Sequence, residues 1–320
     1  MENMEIYFAP LEGINGAEFR RAHQRYFGGV DRYYAPFISP TQDHIFTPKE
    51  KRNFLPENNV GIPLVPQLLT RNADDFTWAA DELFAMGYDE VNLNLGCPSG
   101  TVVAKGKGAG MLGDPDSLDE FLHQIYRRSR GKITLKTRLG MEDPEEFTRL
   151  LKIFSRYPVP LLIIHPRVRK DFYKTPIRME WFERALEAYD GELCFNGGLT
   201  TVGQIEAFAA AHPAVDKVMA GQGLLANPAL ARQAKGGKAL EREELRAFHD
   251  ELYHGYLEAF KSERNTVFHM KELWLYLARS FEGGEKLFKK IRKAQDSAGY
   301  DSAVAEIFQT LPLRKDALWE

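Results

Sequence analysis

From Ile6 to about Ala231, short apolar runs alternate with longer stretches whose apolar residues recur at helical spacing. That rhythm predicts strand–helix units around a parallel sheet. Eight strands are expected: Ile6–Ala9, Arg32–Ala35, Leu64–Leu68, Glu90–Leu95, Ile133–Thr137, Leu161–His165, Leu193–Asn196 and Lys217–Ala220. Between most of them lie helical segments. Ala73–Met86 ends at Gly87, a C-cap candidate, and Ser117–Arg130 follows an Asp-Pro turn. Glu145–Arg156 and Glu180–Tyr189 read the same way, and Thr200 or Thr201 can cap Val202–Ala211. The expected fold class is α/β, a (β/α)8 TIM barrel, with a doubly wound open sheet as the alternative.

Around Gly236–Gly237 the texture changes. From Glu241 to about Gln309 no strand pattern appears, only helical segments such as Leu245–Phe260, Val267–Phe281 and Glu285–Ala298. The expected organisation is a catalytic barrel over 1–237 followed by a small C-terminal helical domain over 238–320.

A barrel keeps its chemistry at the C-terminal ends of its strands. That edge carries Pro10, Gln67, Asn94 with Cys97, Lys136, His165, Asn196 and Gly221. In EVNLNLG, Val91, Leu93 and Leu95 alternate with Asn92, Asn94 and Gly96; in ITLKTR, Lys136 and Arg138 share a face. A lysine buried alone costs several kcal/mol, roughly, unless an anion or acceptor compensates it, so Lys136 implies a partner, most simply a cofactor. Singly, each residue also has an ordinary reading as a core or rim group or a turn former. Five polar residues on five strands make a joint site.

Two glycine-rich turns, FNGGLTT (Phe195–Thr201) and MAGQGLLANP (Met219–Pro228), follow the last two strands, where barrels commonly hold a phosphate. The run GKGAG (Gly106–Gly110) does not open a helix after a strand and reads as a mobile loop rather than a nucleotide loop. Cys194, inside a strand, reads as core, whereas Cys97 sits on a loop over the barrel mouth. An ordinary thiol, with a pKa of about 8.5, stays protonated at neutral pH and can donate a proton.

Composition narrows the class. Two cysteines exclude a disulfide framework, and no Cys/His spacing suits a metal. No apolar run approaches the roughly 20 residues of a membrane span, and the acidic start lacks a signal-peptide pattern, so a cytoplasmic location is the default. A net charge of −3 does not advertise a nucleic-acid binder, so any RNA contact needs a local basic patch. Arg167, Arg169, Lys170 and Lys174 after the sixth strand form one candidate, and KLFKKIRK (Lys286–Lys293) forms another.

The segments APLEG (Ala9–Gly13), LVPQL (Leu64–Leu68), NLNLGCPSGTVVAKGKGAGML (Asn92–Leu112), LKTRLG (Leu135–Gly140), IIHPRVRKDFY (Ile163–Tyr173), FNGGL (Phe195–Leu199) and AGQGLLANP (Ala220–Pro228) resemble tRNA-dihydrouridine synthases. The resemblance runs through the barrel in the family's order and is looser in the helical tail. It implies an FMN-dependent enzyme that reduces uridine rings of tRNA with NADPH as reductant. By that resemblance, Pro10, Leu11 and Glu12 line the flavin and Gln67 bonds its ring. Lys136 sits by the pyrimidine edge with His165 nearby. Asn196, Gly197, Gly198, Gly221, Gln222 and Gly223 hold the phosphate. Cys97 becomes the general acid, Asn94 positions a flipped uracil, and Arg138 and Arg167 contact the substrate. Phe172 and Tyr173 could stack on the base. The family usually has methionine at Leu11, arginine at Gln222 and a basic residue at Gly100. A monomer that binds tRNA and no membrane is expected. Alternatives are an FMN reductase of a free pyrimidine or another small unsaturated substrate, and an RNA-binding flavoprotein without turnover.

Overall fold

In a computed structural model the described residues are 4–317, so 1–3 and 318–320, the ends of the two expected domains, lie outside them. Nine strands form one parallel sheet: β1 (Glu5–Phe8), β2 (Arg32–Tyr34), β3 (Leu64–Val65), β4 (Gln67–Leu68), β5 (Glu90–Leu95), β6 (Lys132–Arg138), β7 (Leu161–His165), β8 (Glu192–Asn196) and β9 (Lys217–Ala220). Their order is β3-β2-β1-β9-β8-β7-β6-β5-β4. The ninth strand arises because Leu64–Leu68 is interrupted at Pro66, which has no N–H to give a ladder. Otherwise the expected strands form within a residue or two.

The chain divides into two compact units. The unit Tyr34–Gly197 with Lys217–Met219 holds β3 to β8 and the helices α1 (Pro48–Phe54), α2 (Ala73–Ala85), α3 (Gly100–Val103), α4 (Pro115–Arg128), α5 (Glu146–Phe154) and α6 (Met179–Ala188). Local sequence sets their starts. Thr47 and Glu50 form a capping box on α1, Asn72 accepts from Asp74 and Asp75 N–H on α2, and Asp114 accepts from Ser117 ahead of Pro115 on α4. Strand β5 is buried at every position, as a parallel strand covered on both faces must be.

The other unit, Met1–Tyr33 with Gly198–Asp216 and Ala220–Glu320, holds β1, α7 (Ala17–Tyr26), α8 (Val202–Ala211), α9 (Gln222–Ala226), α10 (Leu230–Ala234) and the C-terminal helices. These are α11 (Arg242–Phe260), α12 (Glu263–Leu277), α13 (Gly284–Lys293) and α14 (Ser297–Thr310). Thr201, not Thr200, caps α8 through a box with Gln204. The expected helix Glu285–Ala298 ends early because Asp296 accepts from Gly299 N–H and starts a new helix, α14. The C-terminal helices pack on α7 through aromatic rings: Phe248 meets Phe27 at 5.0 Å and Phe19 at 5.6 Å. Inside the bundle, Trp274 Nε1–H donates to Tyr300 Oη at 2.9 Å, and His249 Nε2 lies 2.7 Å from the same oxygen. Among the described residues no helix is long and apolar enough to cross a membrane.

Buried histidines make this unit acid-sensitive. His23, under Tyr33 at 2.7 Å, is pushed down to about 3 by burial, with the Arg232 charge adding to the effect. His249 is lowered by burial too. A histidine whose folded pKa lies below its unfolded value of about 6.5 leaves stability intact above that value. Stability is then lost as pH falls towards the folded value, at up to about 1.4 kcal/mol per unit per group. The thermal midpoint of wild type is therefore expected to fall faster between pH 6.5 and 5 than that of His23→Asn. Calorimetry across that range checks it, and parallel declines would refute the assignment.

Candidate active site

Polar residues at alternate positions of β4, β5 and β6 form one continuous chain of hydrogen bonds. Glu90 Oε1 accepts from Thr134 Oγ1–H at 2.7 Å and from Tyr34 Oη–H at 3.2 Å. Thr134 Oγ1 accepts from Asn92 Nδ2–H at 2.9 Å, and Asn92 Oδ1 accepts from Gln67 Nε2–H at 2.8 Å. Gln67 Oε1 accepts from Asn94 Nδ2–H at 2.7 Å. Finally, Asn94 Oδ1 accepts from the backbone N–H of Gly96 (3.0 Å) and Cys97 (2.9 Å). The ladder registers Gln67↔Asn92, Asn92↔Thr134 and Asn94↔Lys136 put these side chains on one face. Each amide's orientation is dictated from both ends, by a carboxylate that only accepts and by two backbone N–H groups that only donate. Buried polar groups are thereby satisfied, and the Cys97 backbone is pinned to the sheet.

The side chain of Lys136, beside Asn94 in register, makes no hydrogen bond or ion pair among the described residues. Burial holds its ammonium down at about 7, and the neighbouring Arg138 charge adds to that. Arg138 is 1% exposed and donates to three backbone carbonyls: Gly96 (2.9 Å), Val168 (3.2 Å) and Phe172 (2.9 Å). Its guanidinium also lies 5.2 Å from the Tyr173 ring centroid. It ties the Cys97 loop to the loop after β7. His165 is lowered well below the ordinary imidazole value, first by burial and then by Arg138, Lys136 and Arg167. Arg167 Nη1–H lies 2.9 Å from His165 Nε2 and its Nε–H donates to Thr175 O. A guanidinium can only donate, so Nε2 accepts and the imidazole proton sits on Nδ1.

Cys97 is half-buried, its carbonyl accepting from Ala109 N–H at 3.1 Å. Of the segment expected as a mobile loop, Gly106–Gly110, the last three residues open the 3-10 turn Gly108–Gly113, whose Ala109 N–H makes that bond. Asn196 Nδ2–H donates to Met219 O at 2.8 Å, and Gly197 lies where a Cβ would come within 2.6 Å of Ile177. Cys194 is fully buried, as expected of core.

In the other unit, Asn15 organises the turn after β1. It accepts from Leu11 N–H and donates to Ala9 O, each at 2.8 Å, leaving Pro10 and Leu11 half-buried and Glu12 exposed. A Cβ on Gly221 would meet Ala9 at 3.3 Å, and one on Gly223 would sit 2.3 Å from Leu199 O. Glycine at 223 therefore lets the Gly198–Thr200 turn close onto the Gly221–Gly223 turn, with Gln222 between.

Thus Gln67, Asn94, Cys97, Lys136, Arg138, His165, Arg167, Asn196 and Gly197 belong to one unit, and the Gly198–Thr200 and Gly221–Gly223 turns meet within the other. Glu90, Asn92, Thr134 and Asn15 were missed. Polar residues at 90, 92 and 94 of an otherwise apolar strand were the available signal for the first two. An unpaired desolvated ammonium, an imidazole Nδ1–H and spare amide groups of Gln67 and Asn94 suit an electron-rich heterocycle such as flavin.

Solved structures share the fold. The old yellow enzyme homologue from Zymomonas mobilis aligns with a TM-score of 0.54 at 12% identity, covering 74% of this chain and 90% of that one. A morphinone reductase variant in complex with tetrahydroNAD also aligns at 0.54 and 12%, covering 76% and 90%. The "tRNA-dihydrouridine(16) synthase" of Aquipseudomonas alcaligenes is 27% identical over 94% of this chain and 99% of its own length. That of Pseudomonas putida is 27% identical over 92% and 94%. The class defined is a flavin-dependent oxidoreductase on a (β/α)8 barrel with a helical C-terminal region. The Dihydrouridine synthase (Dus) pattern matches residues 7–310, and the chain belongs to that family.

Proposed function

We propose that this chain reduces uridine rings in tRNA to dihydrouridine, with FMN as cofactor, NADPH as reductant and Cys97 as proton donor. Beyond family membership, one observation carries the reading. Lys136 is a desolvated amine without a carboxylate partner among the described residues, adjacent in register to the asparagine that pins Cys97, and an anion beside it would favour its charged form. Such a cation calls for an anionic ligand, and the pyrimidine edge of reduced flavin is one.

When bound, FMN supplies a hydride drawn from NADPH. The chain's own residues do the rest. Gln67 would offer its remaining amide hydrogen and lone pair to the ring; the lining role of Pro10, Leu11 and Glu12 rests on the family resemblance alone. Lys136 and the His165 Nδ1–H stabilise negative charge. Asn196 and Gly197 would serve the phosphate; the same role for Gly198, Gly221, Gln222 and Gly223 rests on the family resemblance alone. Asn94 holds Cys97 and keeps one amide N–H for the uracil, which must leave its stack to be reached. Cys97 gives its thiol proton to one carbon of the uracil double bond as the neighbouring carbon takes the hydride, so two electrons and two hydrogens are added. Arg138 and Arg167 act through the loops and the imidazole they hold, next to Tyr173.

The 238–320 region serves as the tRNA-binding domain of a cytoplasmic monomer. Exposed Lys286, Lys289, Arg292 and Lys293 on α13 have no carboxylate partner among the described residues, which suits phosphate contact, whereas Lys290 pairs with Glu306 at 2.7 Å. The test is dihydrouridine mapping, by mass spectrometry and reverse-transcription stops, in unmodified tRNA treated with protein and NADPH. Position 16, printed in the names of the relatives above, is the first to inspect. Gain of two hydrogens at discrete uridines is expected. Turnover of a free pyrimidine with untouched tRNA would instead favour the small-substrate reductase.

A further inference from the structure

Next to the Cys97 loop lies a group of cations that the proposed chemistry does not use. Gly106 and Gly108, at φ of +64° and +58°, bend the chain sharply on either side of Lys107, a conformation that residues with a Cβ rarely adopt. The bend brings the 105–107 segment under Arg71, whose Nη1 would lie 2.9 Å from a Cβ on Gly106. At its other end the bend touches the proton donor's own residue, since a Cβ on Gly108 would sit 3.0 Å from Cys97 Cβ. Arg71 and Lys105 are exposed and Lys107 half-buried. None of the three side chains makes a hydrogen bond or ion pair among the described residues. Burial, together with the charges of Lys105 and Arg71, pushes the Lys107 ammonium down, against a raising effect of Asp75. Asp75 itself is 8% exposed and lies 3.5 Å from His44. Three like charges held together with one nearby carboxylate leave a local excess of positive charge that an anion hydrogen-bonded to more than one of them would relieve.

We propose that Arg71, Lys105 and Lys107 form a phosphate-binding clamp for the RNA backbone flanking the uridine that is turned towards Cys97. The inference rests on the tRNA reading above. A base delivered to the Cys97 loop carries its own backbone phosphates only a few bonds away, and the bend sets the cations directly beside that loop. The clamp would hold the splayed strand while the base is out of its stack, offsetting the unstacking cost. The same chemistry, a phosphate ester, also occurs on the ribose of NADPH, and the experiment separates the two sources.

Holoenzyme affinity for tRNA is measured by fluorescence anisotropy between 50 and 200 mM KCl, the salt range over which such contacts are read, as order-of-magnitude slopes. Measurements compare wild type, Arg71→Ala/Lys105→Ala/Lys107→Ala and Lys105→Arg/Lys107→Arg. For the alanine variant the slope of log affinity against log salt is expected to shrink by about 2 to 3, at ~0.7–0.9 per lost contact, with a roughly tenfold or greater loss of affinity at low salt. The arginine variant should keep the wild-type slope, and the rate of flavin reduction by NADPH should be unchanged in both. Lys105→Ala alone, at an exposed position, gives a slope change of about 1 even if the triple variant folds poorly. An unaltered slope in a variant of a tRNA-binding wild type overturns the clamp while leaving the functional reading intact. A raised KM for NADPH with normal tRNA binding assigns the cations to the dinucleotide and overturns it too. A wild type that binds no tRNA removes the functional reading and the clamp together.

Discussion

Cys97→Ala is expected to cut dihydrouridine formation by roughly 10²–10⁴-fold, the usual worth of a positioned general acid, while NADPH still bleaches the bound flavin at the wild-type rate. The split follows from where the residue acts. Its backbone is held by Asn94 Oδ1 at 2.9 Å and by Ala109 N–H, so replacing the side chain leaves the loop's anchors in place. Cys97→Ser should fall between the two, because a hydroxyl gives up a proton far less readily than a thiol. Rapid-mixing measurements of the two half-reactions check this. If both half-reactions slow together, or if tRNA is reduced normally, Cys97 is not the proton donor.

Lys136→Met is expected to do two opposite things. In the apoprotein it should raise stability, because the buried ammonium is a cost. Its pKa falls from 10.5 to about 7 on folding, so the unfolded chain binds the extra proton and stability drops as pH descends from 10.5 towards 7. Near pH 7.5 the penalty is on the order of 2–4 kcal/mol, discounted for the part of the side chain that stays accessible. The apo thermal midpoint of the variant should therefore exceed that of wild type by several degrees at pH 7.5, and the gap should close near pH 10.5. In the holoprotein the same change removes the charge facing the reduced ring. The flavin midpoint potential should drop and its reduction should slow by about 10²-fold. Scanning fluorimetry of the apoprotein against pH, with potentiometry of the holoprotein, measures both arms. An apo variant no more stable than wild type would mean that Lys136 is not desolvated. An unchanged potential would mean that it does not face the ring.

Strand positions were legible because period-two burial and apolar runs are local properties of the chain. Leu161–His165 and Glu90–Leu95 appear where the pattern places them. Pro66 splits its strand for a reason equally local, its missing N–H. The break between α13 and α14 was lost because helical periodicity carries across Ala294–Asp296, and only the cap made by the Asp296 side chain ends one helix and begins another. Of the site, residues at strand ends stood out as polar groups in apolar surroundings. Glu90 and Thr134 lie near the starts of their strands, away from the C-terminal edge where a barrel keeps its chemistry, so their polarity alone did not place them in the site.

Arg138 and Arg167 show the limit most plainly. As sequence, each is a cation near the mouth and a natural substrate contact. In the folded chain Arg138 donates to three carbonyls, one of them 42 residues away, and Arg167 donates to an imidazole and a carbonyl of its own loop, acceptors that the place of neither cation in the sequence announces. The amino-acid order by itself determined the alternation of strands and helices, the helical tail, and which residue types stand at the strand ends, because backbone propensity and burial pattern depend on near neighbours. Only the tertiary structure decided which polar group answers which. Hydrogen bonds, desolvation and tautomers depend on distances of a few ångströms between segments whose spacing along the chain carries no record of that proximity.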